Sequence, residues 1–594
     1  MLSPLKPDIS IWRIPTLEIP SSVRALVRAR ESSIVFLGAT IGALAGIVVA
    51  AMGFGVDVMH SILFGLPAGQ RLSALTSLNP WVAVLVPLLG GVIFGLGLMA
   101  LARWRPIREV DPIEANALHG GRMSLRGSII VALQTVWSSG VGASVGLEAG
   151  YTQLASGIAS WLGQAFHLRR RDLRVLVGCG AAGAIAGAFG APLAGAFYAF
   201  ELVIGSYSVA SLAPVGIAAL VGYLVANLFN PSRLGIQTLY VMHVTGHDIA
   251  LAGVVGLAAA GAGITLMRGV GLCEVLLSYL RIRTALRPVI GGAIVGLLAL
   301  VTPQVLSSGH GAIHMAGMLE SPLRMIALLF VLKSVASIVS LGSGFRGGLF
   351  FASLLLGALA GRMFAEGVTI WLPALALDPH IYAIIGMGAL SVSVIGGPLT
   401  MTFIALESTG DLWLTTAVLI AVIISAQVTR ETFGYSFATW RFHLRGETIR
   451  SAADVGWIRE LNVRRMMRGD VRTVPVHTTI ARFRMVFPLG STAQVVALNE
   501  DKSYAGIIQV AEAHAPELDE TTPVREILHS RETTLTPAMT VKDAVAAFDR
   551  AEAEALAVIE ARDKRNVIGL LTESYALRRY SEELELRRKE LTGE

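Results

Sequence analysis

Two glycine-rich interruptions, residues 140–150 (GVGASVGLEAG) and 342–348 (GSGFRGG), are where this sequence can be expected to do chemistry. Each leads into a stretch of small residues expected to be helical, 151–162 in one case and 349–364 in the other. The first amides of a helix have no partner within it, and they sit at the positive end of its dipole. A helix that starts after such a break can therefore hold an anion without a full cation in an apolar surround. Most apolar stretches are expected to lack Lys and Arg; Arg346 is the exception, read as an interfacial or paired arginine. HExxH and paired catalytic acids do not occur in the apolar stretches, so an enzyme is not expected. Cys179 and Cys273, the only cysteines, lie in apolar sequence and indicate neither a disulfide framework nor a metal site.

Something must carry these breaks. The chain has 594 residues, 54% hydrophobic and 15% charged, with mean hydropathy +0.64, too apolar for an ordinary soluble protein of this length. Apolar stretches near bilayer-spanning length recur at 33–55, 81–102, 212–228, 249–267, 289–301, 326–341 and 412–426. Several are short or interrupted by Gly and Pro, and irregular backbone at that depth survives only where it lines a cavity or is covered by protein. The 63 glycines fit close helix approach and broken spans.

The apolar part also repeats itself. GAAGAIAGAFGAPLAGAFYAFE from Gly180 and GMGALSVSVIGGPLTMTFIALE from Gly386 superpose at an offset of 206, which places Gly190 on Gly396, Pro192 on Pro398 and Glu201 on Glu407. Two related halves are the economical reading, with a binding site at their interface. Arg24, Arg28 and Arg30 before the first span, with the basic runs 167–174 and 281–287, set the N-terminus on the cytoplasmic side. The net charge of +6 fits basic cytoplasmic loops without nucleic acid as a partner.

On the GAFGAPLAG, VIGGPLT and GLEAG segments, the sequence resembles the CLC family of chloride channels and proton-coupled chloride exchangers over about residues 33–445. The resemblance implies a multi-pass homodimer, each subunit an all-α membrane domain of two inverted repeats with broken, tilted helices and its own pore. A bacterial-type plasma membrane, with both termini cytoplasmic, is the expected location. Glu148 matches the family's gating glutamate, a carboxylate that competes with the anion for one positive pocket and loses that competition on protonation. Backbone amides of Leu349 and Phe350 are implied to face the anion, and Tyr435 to donate its hydroxyl to it.

Two departures matter. The serine that helps select the anion in the family falls in REVDP, where anchoring on Pro112 puts Glu109 in its place and Val110 beside it; Glu109 is expected to turn away, or the local alignment to shift. The internal proton-relay acid of the exchangers is here Leu202, which cannot carry a proton. Glu201 and Glu407 are expected to be structural, because a role on one proton path needs no copy in both halves. Gated chloride conduction is the leading expectation and chloride–proton exchange its rival. A CBS-regulated magnesium transporter is the remote alternative, against which the spans hold few acids.

Beyond 1–32 (N-terminal segment) and 33–445 (membrane domain), the sequence is expected to divide into a linker at 446–463, a smaller α/β tandem CBS domain at 464–581 and a charged tail at 582–594. In the two expected CBS modules, 466–513 and 524–580, Thr572 and Glu512 are possible adenine-nucleotide contacts. Tyr575 and Gln509 replace their expected companions, so a dimerisation or coupling platform is the plainer role, and no cofactor is expected.

Overall fold

The computed structural model describes residues 20, 22, 24, 31–67, 69–104, 109–229, 244–309, 322–434, 436, 439–440, 462–561, 565–579 and 582. The chain divides into two compact units, Met1–Asp454 and Val455–Glu594.

The first unit is helical. Its first half runs α1 (Glu31–Phe64), α2 (Pro80–Trp104), the short α3 (Pro112–Leu118), α4 (Leu125–Gly140), α5 (Glu148–Ala165), α6 (Arg170–Phe189), α7 (Pro192–Tyr198) and α8 (Val209–Phe229). The second runs α9 (Gly246–Tyr279), α10 (Arg287–Ala299), α11 (Leu323–Gly342), α12 (Phe350–Trp371), α13 (Pro379–Ile395), α14 (Pro398–Thr409) and α15 (Leu412–Thr432). Among the described residues, eight helices are long and apolar enough to cross a membrane. The halves correspond in packing as well as in order: α1 lies on α8 and α6, and α9 lies on α15 and α13.

Local chemistry explains the repeated corner. Helix α6 ends at Gly190 and α13 at Gly396, both in the left-handed conformation that a side chain disfavours, with φ of 68° and 90°. Pro192 and Pro398 then open the next helices, where a missing backbone N–H costs nothing.

Helices meet through glycine. At Gly361 of α12 an added Cβ would collide with the backbone carbonyl of Tyr382 in α13, which cannot swing aside as a side chain can. Gly361→Val should therefore destabilise the first unit by about 2–3 kcal/mol, read as earlier loss of monodisperse protein on heating in detergent. An unchanged melting profile would show that α12 and α13 are free to part.

In the second unit, β1 (Thr473–Pro475) pairs parallel with β2 (Gln494–Leu498), which pairs antiparallel with β3 (Tyr504–Gln509). A second, two-stranded sheet joins β4 (Ala555–Ile559) to β5 (Val567–Thr572). The helix Val541–Ala551 packs Val541, Ala544 and Phe548 into the core beside this sheet, and a Thr540–Asp543 capping box starts it. Val463 and Met466 pack in that same core with Leu535, Leu556 and Leu571. Met466, where the first module was expected to begin, thus belongs to the core of the second.

Candidate functional site

The two glycine-rich breaks meet. The Gly146 amide donates to the Gly348 carbonyl at 2.9 Å and the Gly348 amide returns to Gly146 at 3.1 Å. Serines from α11 brace the first break: the Ser144 amide donates to Ser340 Oγ at 2.9 Å, and Ser144 Oγ lies 3.0 Å from Ser337 Oγ. From the other side, Ser138 of α4 accepts from the Arg346 amide at 3.1 Å. The starts of α5 and α12 are thereby brought to one place.

Glu148 stands at that place, 5% exposed, as the first residue of α5 rather than within the break. Its Oε1 accepts from the Phe350 amide at 2.5 Å, and the Phe351 amide also bonds the carboxylate. A Cβ on Gly146 or Gly348 would strike this carboxylate in the position it holds. The donors are thus Phe350 and Phe351. Leu349, expected as a donor with Phe350, caps α12 and lines the adjoining cavity. Phe189 stacks on Phe351 and lies tilted against Phe350, with ring centroids 4.3 and 4.4 Å apart. The chain's own carboxylate occupies the positive start of α12, a seat that suits an anion.

A cavity of about 180 Å³ adjoins this seat, lined by Glu148, Glu109, Asp111, Tyr198, Leu202 and Arg346 among others. Glu109 lines it with its carboxylate against Gly127 in the first turn of α4, so it has not left the pathway segment. The Val110 carbonyl is held by Gln153 Nε2 at 2.9 Å. Asp111 caps α3 by accepting from the Glu114 amide at 2.9 Å. Tyr198 and Asp111 were missed by the sequence reading; an aromatic six residues past a proline, and an aspartate just before one, carry no signal of a shared cavity. Tyr435 lies outside the described residues.

Glu201 and Glu407 do not line that cavity. Glu201 sits in a π-helical turn, Ala199–Ile204, and accepts from the amides of Leu399 and Thr400 at 2.8 and 2.9 Å and from Thr400 Oγ1 at 2.7 Å. Glu407 accepts from the amides of Leu193 and Ala194 at 2.8 and 2.9 Å. Each glutamate caps the helix of the opposite half at positions related by the offset of 206. Reciprocal contacts of this kind are what a two-fold axis between the halves produces.

Arg346 lies in the break between α11 and α12, and two spans hold buried cations: Arg362 in α12, whose Nε donates to Glu366 at 2.7 Å, and Lys333 in α11, fully buried, its Nζ donating to the carbonyls of Val305 and Ser307 at 3.0 and 2.7 Å. A single lysine among apolar neighbours gives no sequence sign of which way it points.

In the second unit, the Glu512 carboxylate is bonded by the His529 ring, and Thr572 stands opposite Ala555 in the β4–β5 pair. A cavity of about 530 Å³ there is lined by Thr533, Thr534, Arg550 and Arg565, and by neither Glu512 nor Thr572.

Known proteins resemble this chain over most of its first unit. The family described as voltage gated chloride channel matches residues 107–430. The "Voltage-gated ClC-type chloride channel ClcB" of Escherichia coli O81 (strain ED1a) is 31% identical over 396 residues, 66% of this chain and 94% of the relative. Its counterpart in Escherichia coli O17:K52:H18 is 30% identical over 400 residues, 66% and 95% of the two chains. Among solved structures, a slow cyanobacterial Cl-/H+ antiporter superposes with a TM-score of 0.61 at 20% identity, covering 69% of this chain and 97% of its own. A eukaryotic CLC transporter gives 0.58 at 16% identity and covers 93% of this chain and 98% of its own, a share that reaches past Asp454 into the second unit. These likenesses carry the fold, and with the family match over the two breaks and both repeat segments they place the chain in the voltage-gated chloride channel family.

Proposed function

We propose that the protein is a gated chloride channel of the CLC type, in which Glu148 is the gate. The observation that carries this reading is the Glu148 carboxylate bound to the first amides of α12, where it holds the position a permeating anion must take. An anion passes when the carboxylate withdraws or is protonated, since the neutral acid competes poorly for the same donors. The working unit is a homodimer in the plasma membrane with both termini cytoplasmic. The second unit serves as a CBS-type coupling platform without a nucleotide at Glu512 and Thr572, because His529 already engages Glu512.

Proton-coupled exchange is the second reading, and one observation favours it. Leu202 shares its cavity with Glu109 and Asp111, so carboxylates face the same space as Glu148 although the relay position is apolar. The test is the zero-current potential of the purified protein in liposomes under separate chloride and proton gradients. The channel reading expects the potential to follow chloride alone. A potential that shifts with pH at fixed chloride replaces it with exchange, and absence of chloride movement rejects both.

A further inference from the structure

The cavity of about 530 Å³ in the second unit is built for something that neither Glu512 nor Thr572 touches. Its wall combines the segment before Leu535, the helix Val541–Ala551, and the place where β4 ends and β5 begins. Arg550 near the end of that helix and Arg565 just before β5 line it, with Thr533 and Thr534. Met539, Ala547 and Ile559 supply an apolar side. No aromatic ring is among the lining residues, so a base would find nothing to stack on.

Both guanidiniums are held in place and neither is neutralised. Arg565 Nη2 donates to the Arg531 carbonyl at 2.6 Å, and its Cζ lies 5.6 Å from the centre of the Tyr504 ring. Arg550 Nε donates to the Ala546 carbonyl at 3.0 Å. Each bond uses one nitrogen and leaves two of a planar fork that suits phosphate oxygens. Among the described residues no carboxylate lies within ion-pair distance of either arginine, and Glu532, the acid on this wall, stands farther off. The hydroxyls of Thr533 and Thr534 make no hydrogen bond among the described residues. Two like charges facing one space repel, and an anion between them removes that repulsion. The wall is also braced. Ser530 is left-handed, with φ of 50°, a conformation that a side chain disfavours, and its carbonyl accepts from Tyr504 Oη at 2.7 Å. The Tyr504 amide donates to the Arg565 carbonyl at 2.8 Å. One residue of β3 thus fixes both Arg565 and the turn that leads to Thr533 and Thr534.

We propose that this cavity binds a phosphate-bearing anion, its oxygens taken by Arg550, Arg565 and the two threonine hydroxyls, at a place separate from Glu512 and Thr572. Two forks on one wall favour a diphosphate over a single phosphate. A free diphosphate and the headgroup of an acidic phospholipid offer the same oxygens, and they differ in whether an acyl chain comes with them. The site is independent of which ion the first unit carries.

The test is calorimetric titration of the full chain in neutral detergent, with inorganic pyrophosphate in one arm and dihexanoyl phosphatidic acid in the other. Saturable binding of pyrophosphate is expected, and Arg550→Gln and Arg565→Gln should each weaken it about ten-fold, the loss of one charge-assisted fork. Arg482→Gln removes an exposed arginine outside the cavity and should change the affinity by less than about two-fold. Arg550 bonds only its own helix, so Arg550→Gln decides alone if Arg565→Gln does not fold. Binding of the phosphatidic acid only, with the same dependence on the two arginines, assigns the site to a lipid headgroup. No saturable binding of either ligand up to about 10 mM overturns the proposal. So does binding that folded Arg550→Gln leaves unchanged, or an equal loss in Arg482→Gln, which marks diffuse surface charge.

Discussion

Glu148→Gln is expected to raise chloride flux at neutral pH about ten-fold and to remove its pH dependence. The carboxylate is held by charge-assisted bonds from the Phe350 and Phe351 amides, each contributing about 1.5–3 kcal/mol. Glutamine keeps the shape but loses the charge, and each 1.4 kcal/mol removed from the competitor is about a factor of ten in site occupancy. The sign follows from the protonation state. Lowering pH neutralises the wild-type carboxylate, weakens its hold on α12 and lets flux rise. The glutamine variant is neutral throughout, so its flux is already high and stays level between about pH 5 and 8. Flux from liposomes at stepped pH reads both effects. A Glu148→Gln protein that keeps the wild-type slope removes Glu148 from gating. A proton readout taken in parallel separates the two transport readings, because an exchanger loses proton movement in this variant while a channel has none to lose.

The residues that hold Glu148 were legible to different degrees, and the reason is the surroundings of each. Gly146 and Gly348 could be found because a Cβ at either would strike the Glu148 carboxylate where it sits, and Gly142 and Gly344 because their φ is positive, 87° and 97°. The spans were legible where they face lipid, as in α1 and α2, whose mean hydropathy over the apolar window is 2.4. Helices α6 and α12 reach only 1.4 and 1.3, with 83% and 61% of that window buried inside the protein. Surrounded by other helices rather than lipid, they trade Leu and Ile for Ala, Gly and Ser to let backbones approach. That trade is why α6 does not stand out as a span in the sequence, although the repeat that begins inside it does.

The amides that hold Glu148 were harder to read than the fold. Every residue has one, so which of them meet the carboxylate, Phe350 and Phe351, is set by where α12 begins and not by side-chain identity. The cavity wall is assembled from α3, α4, α5, α7, α13 and the second break among others, and no spacing rule links Asp111, Tyr198 and Arg346. The second unit shows the same limit, since Met466 precedes the first sheet in sequence yet packs in the second core.

The reciprocal glutamates give an expected effect on stability as large as that of Gly361→Val. Glu201→Gln and Glu407→Gln each replace a carboxylate that caps the opposite half with an amide that has one acceptor oxygen and a donor facing backbone N–H groups. Each substitution should cost about 2–3 kcal/mol, since it removes a charge-assisted bond and leaves an amide facing a donor. Glu201 should cost more, because it also accepts from Thr400 Oγ1. Both side chains are half-buried, and the bonds go to helix starts rather than to mobile side chains, so solvent screening weakens them less than a surface ion pair. The two caps close the same interface between α7 and α14, so the double variant should deviate from additivity by about 0.5 kcal/mol or more. Thermal unfolding in detergent across wild type, both single variants and the double variant measures this coupling. Proton movement, where wild type shows any, should survive Glu201→Gln, because this carboxylate spends its oxygens on α14 and does not face the Glu148 cavity. Loss of proton movement with stability intact would instead place Glu201 on a proton path and deny the symmetry of the two caps its structural meaning.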